Sequence, residues 1–481
     1  MAIARPLPLL ATLVVVLVAL VALAVLRPID HDESQYVAAA VLTADGLMPY
    51  RDYAFLQTPL QPFAFAPLAW LFGGWAWGAL RIANALLGAV VVAASWRAMR
   101  EAGVGSHTAT LCAGLLATCD ILLFSAGTAR NDALPAALLA VALAPMLRAE
   151  RAGGSRAGAV LIGLLLGGAA AAKISYALPA ATYGVYALVV RRHRPWWVLL
   201  GALPPAALVA WTAAIAPAGF LFGTLHFPAA APAQYYEAAG RAWKLSAWAK
   251  ALDTLKFLVL GPALLAIATV ALRRARRWPS LLEWLVLAGL VAALLPAPTW
   301  RQYLLPALPP LFVLLAERLG KPARAWRIAA IVFAVAGLAP TIVALAKPGS
   351  LVTAMRERAA LAGVRGPVAT LAPQFVAMPD PRFAPGPFHF RSRGLLTPAE
   401  EVSLNLVSRD TLDAAFARTP PAAIMVGGEA AWTSGDPALD SILQDWAIRN
   451  GWRRAPLASD RLRLYLPPQA AARALPSISE R

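Results

Sequence analysis

The sequence predicts a polytopic α-helical membrane protein of about eleven transmembrane helices, followed by a small external α/β domain. Three observations carry this prediction. Of 481 residues, 59% are hydrophobic and only 14% charged, with a mean hydropathy of +0.62, which excludes an ordinary soluble globule. Apolar runs near the roughly 20 residues that cross a bilayer alternate with clusters of arginine. After Lys347 the composition turns to that of a soluble domain.

The first apolar run, 7–26, is longer than the apolar core of a secretory signal and is expected to remain as the first transmembrane helix. Further spans are expected near 77–96, 108–127, 133–147, 157–172, 175–190, 196–216, 254–272, 281–297, 304–316 and 328–346. Between them stand Arg97/Arg100, Arg148/Arg151/Arg156, Arg191/Arg192/Arg194, Arg273/Arg274/Arg276/Arg277 and Arg318/Lys321/Arg324/Arg327. With eleven spans and a cytoplasmic N-terminus, all of these clusters fall on the cytoplasmic side, as the positive-inside rule requires. The net charge of +18 has the same origin: 28 Lys/Arg face 13 Asp/Glu up to Lys347, but 15 face 12 beyond it. An excess so placed argues for a lipid bilayer and against nucleic acid as the partner. Cys112 and Cys119 share one apolar span and are expected as small buried core residues.

The opposite, external side then holds a first loop (27–76), a turn at Arg130–Asp132, Lys173, a large loop (217–253), the segment 299–303 and the tail. The first loop carries Pro49, Pro59, Pro62 and Pro67 and suits short helices lying in the interface. Trp243 and Trp248 of the large loop fit interfacial anchors. The transmembrane domain is thus expected over 1–346 and the extracytoplasmic α/β domain over 347–481. Strands are expected at 367–371, 422–427 and 462–466, and helices around 399–418 and 437–450. The abundance of Ala, Arg, Pro and Trp fits a GC-rich bacterium, so the expected location is the bacterial cytoplasmic (inner) membrane.

The most informative stretch is the first loop. It sets down Asp30, His31, Asp32 and Glu33 directly after the first span, with Tyr36 one helical turn beyond Asp32. Acidic residues are also favoured at a helix start by the helix dipole, yet so many acids beside lipid are a costly way to begin an interfacial helix. The D-E-x-x-Y motif (Asp32 to Tyr36) is followed by G-x-x-P-Y-R-D-Y (Gly46 to Tyr53, including Tyr50, Arg51 and Asp52) and a proline turn, Gln57-Thr58-Pro59-Leu60. This arrangement resembles the first external loop of GT-C glycosyltransferases, in particular the protein O-mannosyltransferase and aminoarabinose-transferase-like families. Those families take sugar from a polyprenyl-phosphate carrier.

The resemblance implies a membrane glycosyltransferase whose partners are a polyprenyl-phosphate-sugar donor and an acceptor protein, lipid or glycan. It also implies site residues. Asp32 matches the catalytic aspartate, with Glu33 beside it, and Asp132, ahead of the fourth span, matches an aspartate that sits close by. N-capping of that helix by Asn131 or Asp132 is the competing explanation. In Trp300-Arg301-Gln302-Tyr303-Leu304-Leu305-Pro306, Arg301 and Tyr303 match an R-x-Y-x-x-P signature. Arg301, Lys173 and His226 are candidates to hold the donor phosphate, which requires cations in a partly desolvated place. Snorkelling of Arg301 and Lys173 from helix ends is the alternative. Asp120, inside the third span, is expected to pair with a neighbouring helix. No cofactor is required, although Glu33 and His226 are compatible with a divalent metal. The competing function is a transporter or flippase of a lipid-linked or anionic substrate, against which the sequence offers no evident pair of broken helices.

Topology is the first testable point. Reporter fusions after Arg277 and after Gly349 should give opposite signals, and matching signals would overturn the eleven-span arrangement.

Overall fold

A computed structural model describes residues 7–30, 32–273, 279–347, 349–358, 364–370, 372, 394–427, 437–456 and 462–468. His31 lies outside the described residues. Helix α1 (Leu7–Leu26) ends at the first loop, which forms α2 (Glu33–Ala44) and α3 (Leu60–Phe72). There follow α4 (Ala76–Glu101), α5 (Ser106–Ala117), α6 (Asp120–Ala126), α7 (Ala133–Ala152), α8 (Arg156–Ala172), α9 (Ala177–Val189) and α10 (Pro195–Ile215). The large loop contains α11 (Pro217–Leu221), a π-helical turn (Phe222–His226) and α12 (Phe227–Ala238). The chain continues through α13 (Ala247–Val259), α14 (Ala263–Leu272), α15 (Leu281–Leu294), a 3-10 segment (Arg301–Ala307), α16 (Leu308–Arg318) and α17 (Arg324–Leu345).

Each of the eleven expected spans coincides with one of these helices or with a bent pair of them. Among the described residues, five helical runs are long and apolar enough to cross a membrane, or seven if each bent pair is one span. The differences from the expected bounds have local causes. α7 runs to Ala152, past the end of the apolar stretch, because Arg148, Glu150 and Arg151 continue the helix without a breaker. The third span is bent by 67° between α5 and α6, and the eighth by 96° between α13 and α14. At the second break Pro262 lacks an N–H and disfavours helix at the residue before it. That residue, Gly261, has φ +136° and lies so close to Cys119 that an added Cβ would sit 2.8 Å from its Cα. The two breaks meet, and the Asp120 N–H donates to the Leu260 carbonyl at 3.2 Å. Paired broken helices are therefore present, contrary to the sequence expectation. The tenth span opens as 3-10 helix around Pro306, which has no amide to donate, and Pro309 and Pro310 fall in the first turn of α16.

Beyond α17 come α18 (Leu351–Arg358), β1 (Val368–Ala369), α19 (Pro398–Ser403), α20 (Leu412–Arg418), β2 (Ala423–Val426), α21 (Pro437–Arg449), β3 (Arg453–Ala455) and β4 (Arg463–Leu466). The sheet order is β1-β2-β4-β3, with β1 parallel to β2 and the other pairs antiparallel. β3 was not expected, since Arg453-Arg454-Ala455 has no apolar alternation. The period of two along a strand separates the sheet's faces. Ala369, Ile424, Val426 and Tyr465 pack with Leu412, Phe416 and Leu443 of α20 and α21. Val368, Ala423, Met425 and Leu464 pack instead on Ile29, Val37, Trp77 and Leu80. The sheet thus rests on the first loop and on the N-terminal end of α4. A bridge between Pro28 and Ser350 and the Ile29 N–H donating to the Gly349 carbonyl at 3.2 Å join the same parts.

Candidate active site

The first loop is anchored by a fully buried ion pair between Glu33 and Arg81. Arg81 stands in the apolar helix α4, where an unpaired charge would be costly. Its Nε and Nη2 donate to the two Glu33 oxygens at 2.7 and 2.6 Å. Nη1 donates to the Ala24 and Arg27 carbonyls at 2.8 Å, and Nη2 also to that of Pro28 at 3.2 Å. The Glu33 carboxylate further accepts the Ala129 N–H at 2.5 Å and the Asp30 N–H at 3.0 Å. Glu33, expected as a catalytic or metal-supporting group, is thus fully engaged in holding the loop.

Asp32 is the residue before α2, and Asp132 the residue before α7; neither side chain caps its helix. Both reach Arg130 instead. Arg130 Nη1 donates to Asp30 Oδ1 at 2.7 Å and forms an ion pair with Asp32 Oδ2, while Nε donates to Asp132 Oδ2 at 3.0 Å. The other Asp132 oxygen pairs with Lys173 Nζ. Burial alone would raise the Asp132 pKa, but Lys173 and Arg130 hold it below the ordinary carboxylate value. The Lys173 ammonium, expected at a phosphate, is buried and committed to Asp132, with the Tyr303 ring 5.4 Å away. Exposure separates the aspartates: Asp132 is 1% exposed, Asp32 15% and Asp30 21%. Tyr36 is buried among the same groups, with Arg130, Asp32, Asp132 and Tyr303 as charged and polar neighbours, and its ring meets Phe55 edge-on.

The remaining candidates lie elsewhere. Arg301 donates to Asp120 Oδ2 at 2.8 Å with a quarter of its side chain exposed, so Asp120 does pair with a neighbouring element. Tyr50 forms a corner of the loop at φ 68°, its hydroxyl donating to the Gln57 carbonyl and its ring packing on Phe55 and Phe220. Arg51 and Asp52 pair with each other at 2.7 Å at the surface, where Arg51 holds the Asp52 carboxyl below its usual range. Asn405 binds the Arg51 carbonyl at 2.8 Å. His226 is exposed, against the Phe222 ring. The Glu33 carboxylate makes its bonds elsewhere, with Arg81 and the Ala129 and Asp30 amides. No group of three or more His, Cys, Asp or Glu side chains suited to a metal occurs among the described residues. The large loop reaches the first loop at Gly223, where a Cβ would collide with the Phe55 carbonyl.

Sequence reasoning passed over Arg81 and treated Arg130 only as part of a turn. An arginine inside an apolar helix is itself a signal, and Arg81 could have been found by it. Removing one member of the buried pair leaves a charge uncompensated, at a cost of about 3–5 kcal/mol. Glu33→Gln or Arg81→Met should therefore lower the thermal unfolding midpoint sharply, and the double variant should recover much of the loss. Single variants as stable as the parent would contradict the anchoring role.

No protein-family model matches this chain, and no curated protein matches it. Among solved structures it is similar to ArnT from Cupriavidus metallidurans bound to undecaprenyl phosphate, with a TM-score of 0.64 and 16% identity, over 96% of this chain and 98% of that one. The apo state of the same protein gives a TM-score of 0.62 at the same identity and coverage. The likeness extends over nearly the whole of both chains, membrane helices and C-terminal sheet together. This chain shares the fold of those structures.

Proposed function

We propose that the chain is a membrane glycosyltransferase that moves a sugar from a polyprenyl-phosphate carrier to an acceptor hydroxyl at the outer face of the bacterial cytoplasmic membrane. The observation that carries this reading is the convergence of Asp30, Asp32 and Asp132 on Arg130, with Asp32 at the edge of the cluster and partly open. The solved neighbour that binds undecaprenyl phosphate supports the class of carrier.

Asp32 acts as the general base. The acceptor oxygen attacks the anomeric carbon, the carbon–oxygen bond to the carrier breaks, and the phosphate leaves with the bonding electrons. The acceptor's proton passes to the Asp32 carboxylate. Arg130 orients that carboxylate, and Lys173 with Asp132 keeps Arg130 in register. Cationic groups facing the carrier stabilise the charge that grows on the departing phosphate. In this topology the N-terminus is cytoplasmic and the domain 347–481 extracytoplasmic, covering the first loop.

One observation favours a second reading, movement of a lipid-linked or anionic substrate across the bilayer. The two broken helix pairs meet at their breaks, and the Asp120–Arg301 pair lies at that junction. The base assignment is the sharper target. Loss of a general base lowers rate by about a hundred- to ten-thousand-fold. Asp32→Asn keeps the shape of the side chain, so single-turnover sugar transfer should fall by that factor while donor binding survives. Near-parental transfer by the folded variant would move the base elsewhere, with Asp132 next in line.

A further inference from the structure

Positive charge gathers at the far end of α7 and α8 from the aspartate cluster, at the turns that open α8 and α10. Asp132 precedes α7 and Lys173 follows α8, whereas these turns lie after α7 and before α8. Helices of 20 and 17 residues put about 25–30 Å between the two ends. Arg156, Arg191, Arg192 and Arg194 are all exposed there. The two turns lie against each other: the Gly154 N–H donates to the Arg192 carbonyl at 2.9 Å, and Arg194 Nε donates to the Gly154 carbonyl. The helices that follow stay in contact through glycine, since a Cβ on Gly163 would collide with the Val198 carbonyl and one on Gly201 with that of Val160. Among the described residues a single carboxylate answers these guanidiniums. It is Glu150, which pairs with Arg192 and also meets His193 Nε2 at 2.8 Å and the Tyr186 hydroxyl at 3.0 Å. Arg156 lies 5.3 Å from the Trp197 ring centroid, and Arg156, Arg191 and Arg194 have no carboxylate partner among the described residues.

The positive-inside rule explains the sign of this charge but not its convergence. The turn between α4 and α5 shows a neutralised arrangement, where Arg97 and Arg148 share Glu101 at 2.7 and 2.5 Å. A helix start favours anions, yet neither α8 nor α10 has an acidic residue in its first turn. Repulsion among the three unpaired guanidiniums is relieved by an anion from outside the chain. The surface alongside them is apolar: Val189 is 77% exposed, Trp196 69% and Leu199 55%. Cations beside exposed apolar side chains match a lipid, which offers phosphate and acyl chain together, better than an acidic protein surface. We propose that the paired turns before α8 and α10 form a docking surface for an anionic phospholipid, its phosphates among Arg156, Arg191 and Arg194 and its acyl chains along Trp196 and Leu199. A lipid with two phosphates, as in cardiolipin, suits three unpaired guanidiniums better than a lipid with one. The surface stands whether or not the chain transfers sugar.

The test is native mass spectrometry of the full chain in detergent, titrated with cardiolipin, phosphatidylethanolamine and poly-glutamate. The parent should hold cardiolipin about tenfold or more tighter than phosphatidylethanolamine, which carries no net charge. The triple variant Arg156→Gln/Arg191→Gln/Arg194→Gln should weaken cardiolipin about a hundredfold, at roughly fivefold for each arginine near a headgroup, and leave phosphatidylethanolamine unchanged. A second triple variant, Lys321→Gln/Arg324→Gln/Arg327→Gln, removes as many exposed cations from the start of α17 and the turn before it; it should bind cardiolipin as the parent does. Should the first triple variant fail to fold, Arg191→Gln alone carries the same readout, with a loss of about fivefold. Cardiolipin bound equally by the parent and by the folded first variant overturns the docking surface. An equal loss in both triple variants also overturns it, by reducing the effect to net charge. Uptake of poly-glutamate without cardiolipin would assign the surface to an acidic protein and overturn the lipid.

Discussion

The Glu33–Arg81 pair is the interaction on which the rest of the candidate site depends. A guanidinium has five N–H donors, and Arg81 makes five bonds: two to Glu33 and three to the carbonyls of Ala24, Arg27 and Pro28. Those carbonyls belong to the end of α1 and the chain just after it, and Glu33 opens α2 while accepting the amide of Ala129. One charge pair, excluded from water, therefore fixes the end of the first helix, the start of the second and the turn before α7. Arg27, Asp30, Asp32 and Arg130 are all carried on the backbone it ties together. Desolvation explains why such a pair is specific: each charge is costly alone, so alternative arrangements of the loop that separate them are disfavoured.

Around this anchor the charges divide into two neighbouring groups that both reach the Phe124 ring. One holds three aspartates against Arg130 and Lys173; the other holds Arg27 and Arg301 against Asp120. Such a division suits the proposed transfer from a phosphate leaving group. The proton must be received where negative charge is in excess, and the phosphate released where positive charge is. The low polarity of the surroundings strengthens both effects, because less water screens them. The C-terminal sheet contributes by resting its Val368, Met425 and Leu464 face on Trp77 and Leu80, the neighbours of Arg81 in α4. It keeps water from the anchor while leaving Asp32 and Asp30 partly open.

Much of the fold was legible because bilayer thickness imposes a length on apolar runs, and each expected span does coincide with helix. The breaks at Thr118–Cys119 and Leu260–Pro262 were not legible, since a span that bends has the same composition as one that does not. Only the Gly261-Pro262 pair offered a local sign. The aspartate cluster was legible in part: Asp32 and Asp132 were singled out and do meet. What joins them, Arg130, was hidden in a turn that sequence alone cannot bring to the first loop, some 98 positions away. Lys173 and Glu33 were recognised as important residue types, but the sequence could not tell that their charges are consumed by Asp132 and Arg81. Charges read along a chain look available; only packing reveals which of them are neutralised.

The central claim is that the outer face carries a site of covalent sugar transfer. It is tested most directly by purified protein in nanodiscs, supplied with a labelled polyprenyl-phosphate sugar and an acceptor extract, with both products quantified by mass spectrometry. The account predicts one free polyprenyl phosphate released for each sugar joined to acceptor. Donor that crosses the bilayer of a proteoliposome chemically unchanged, with no sugar transferred, would contradict it.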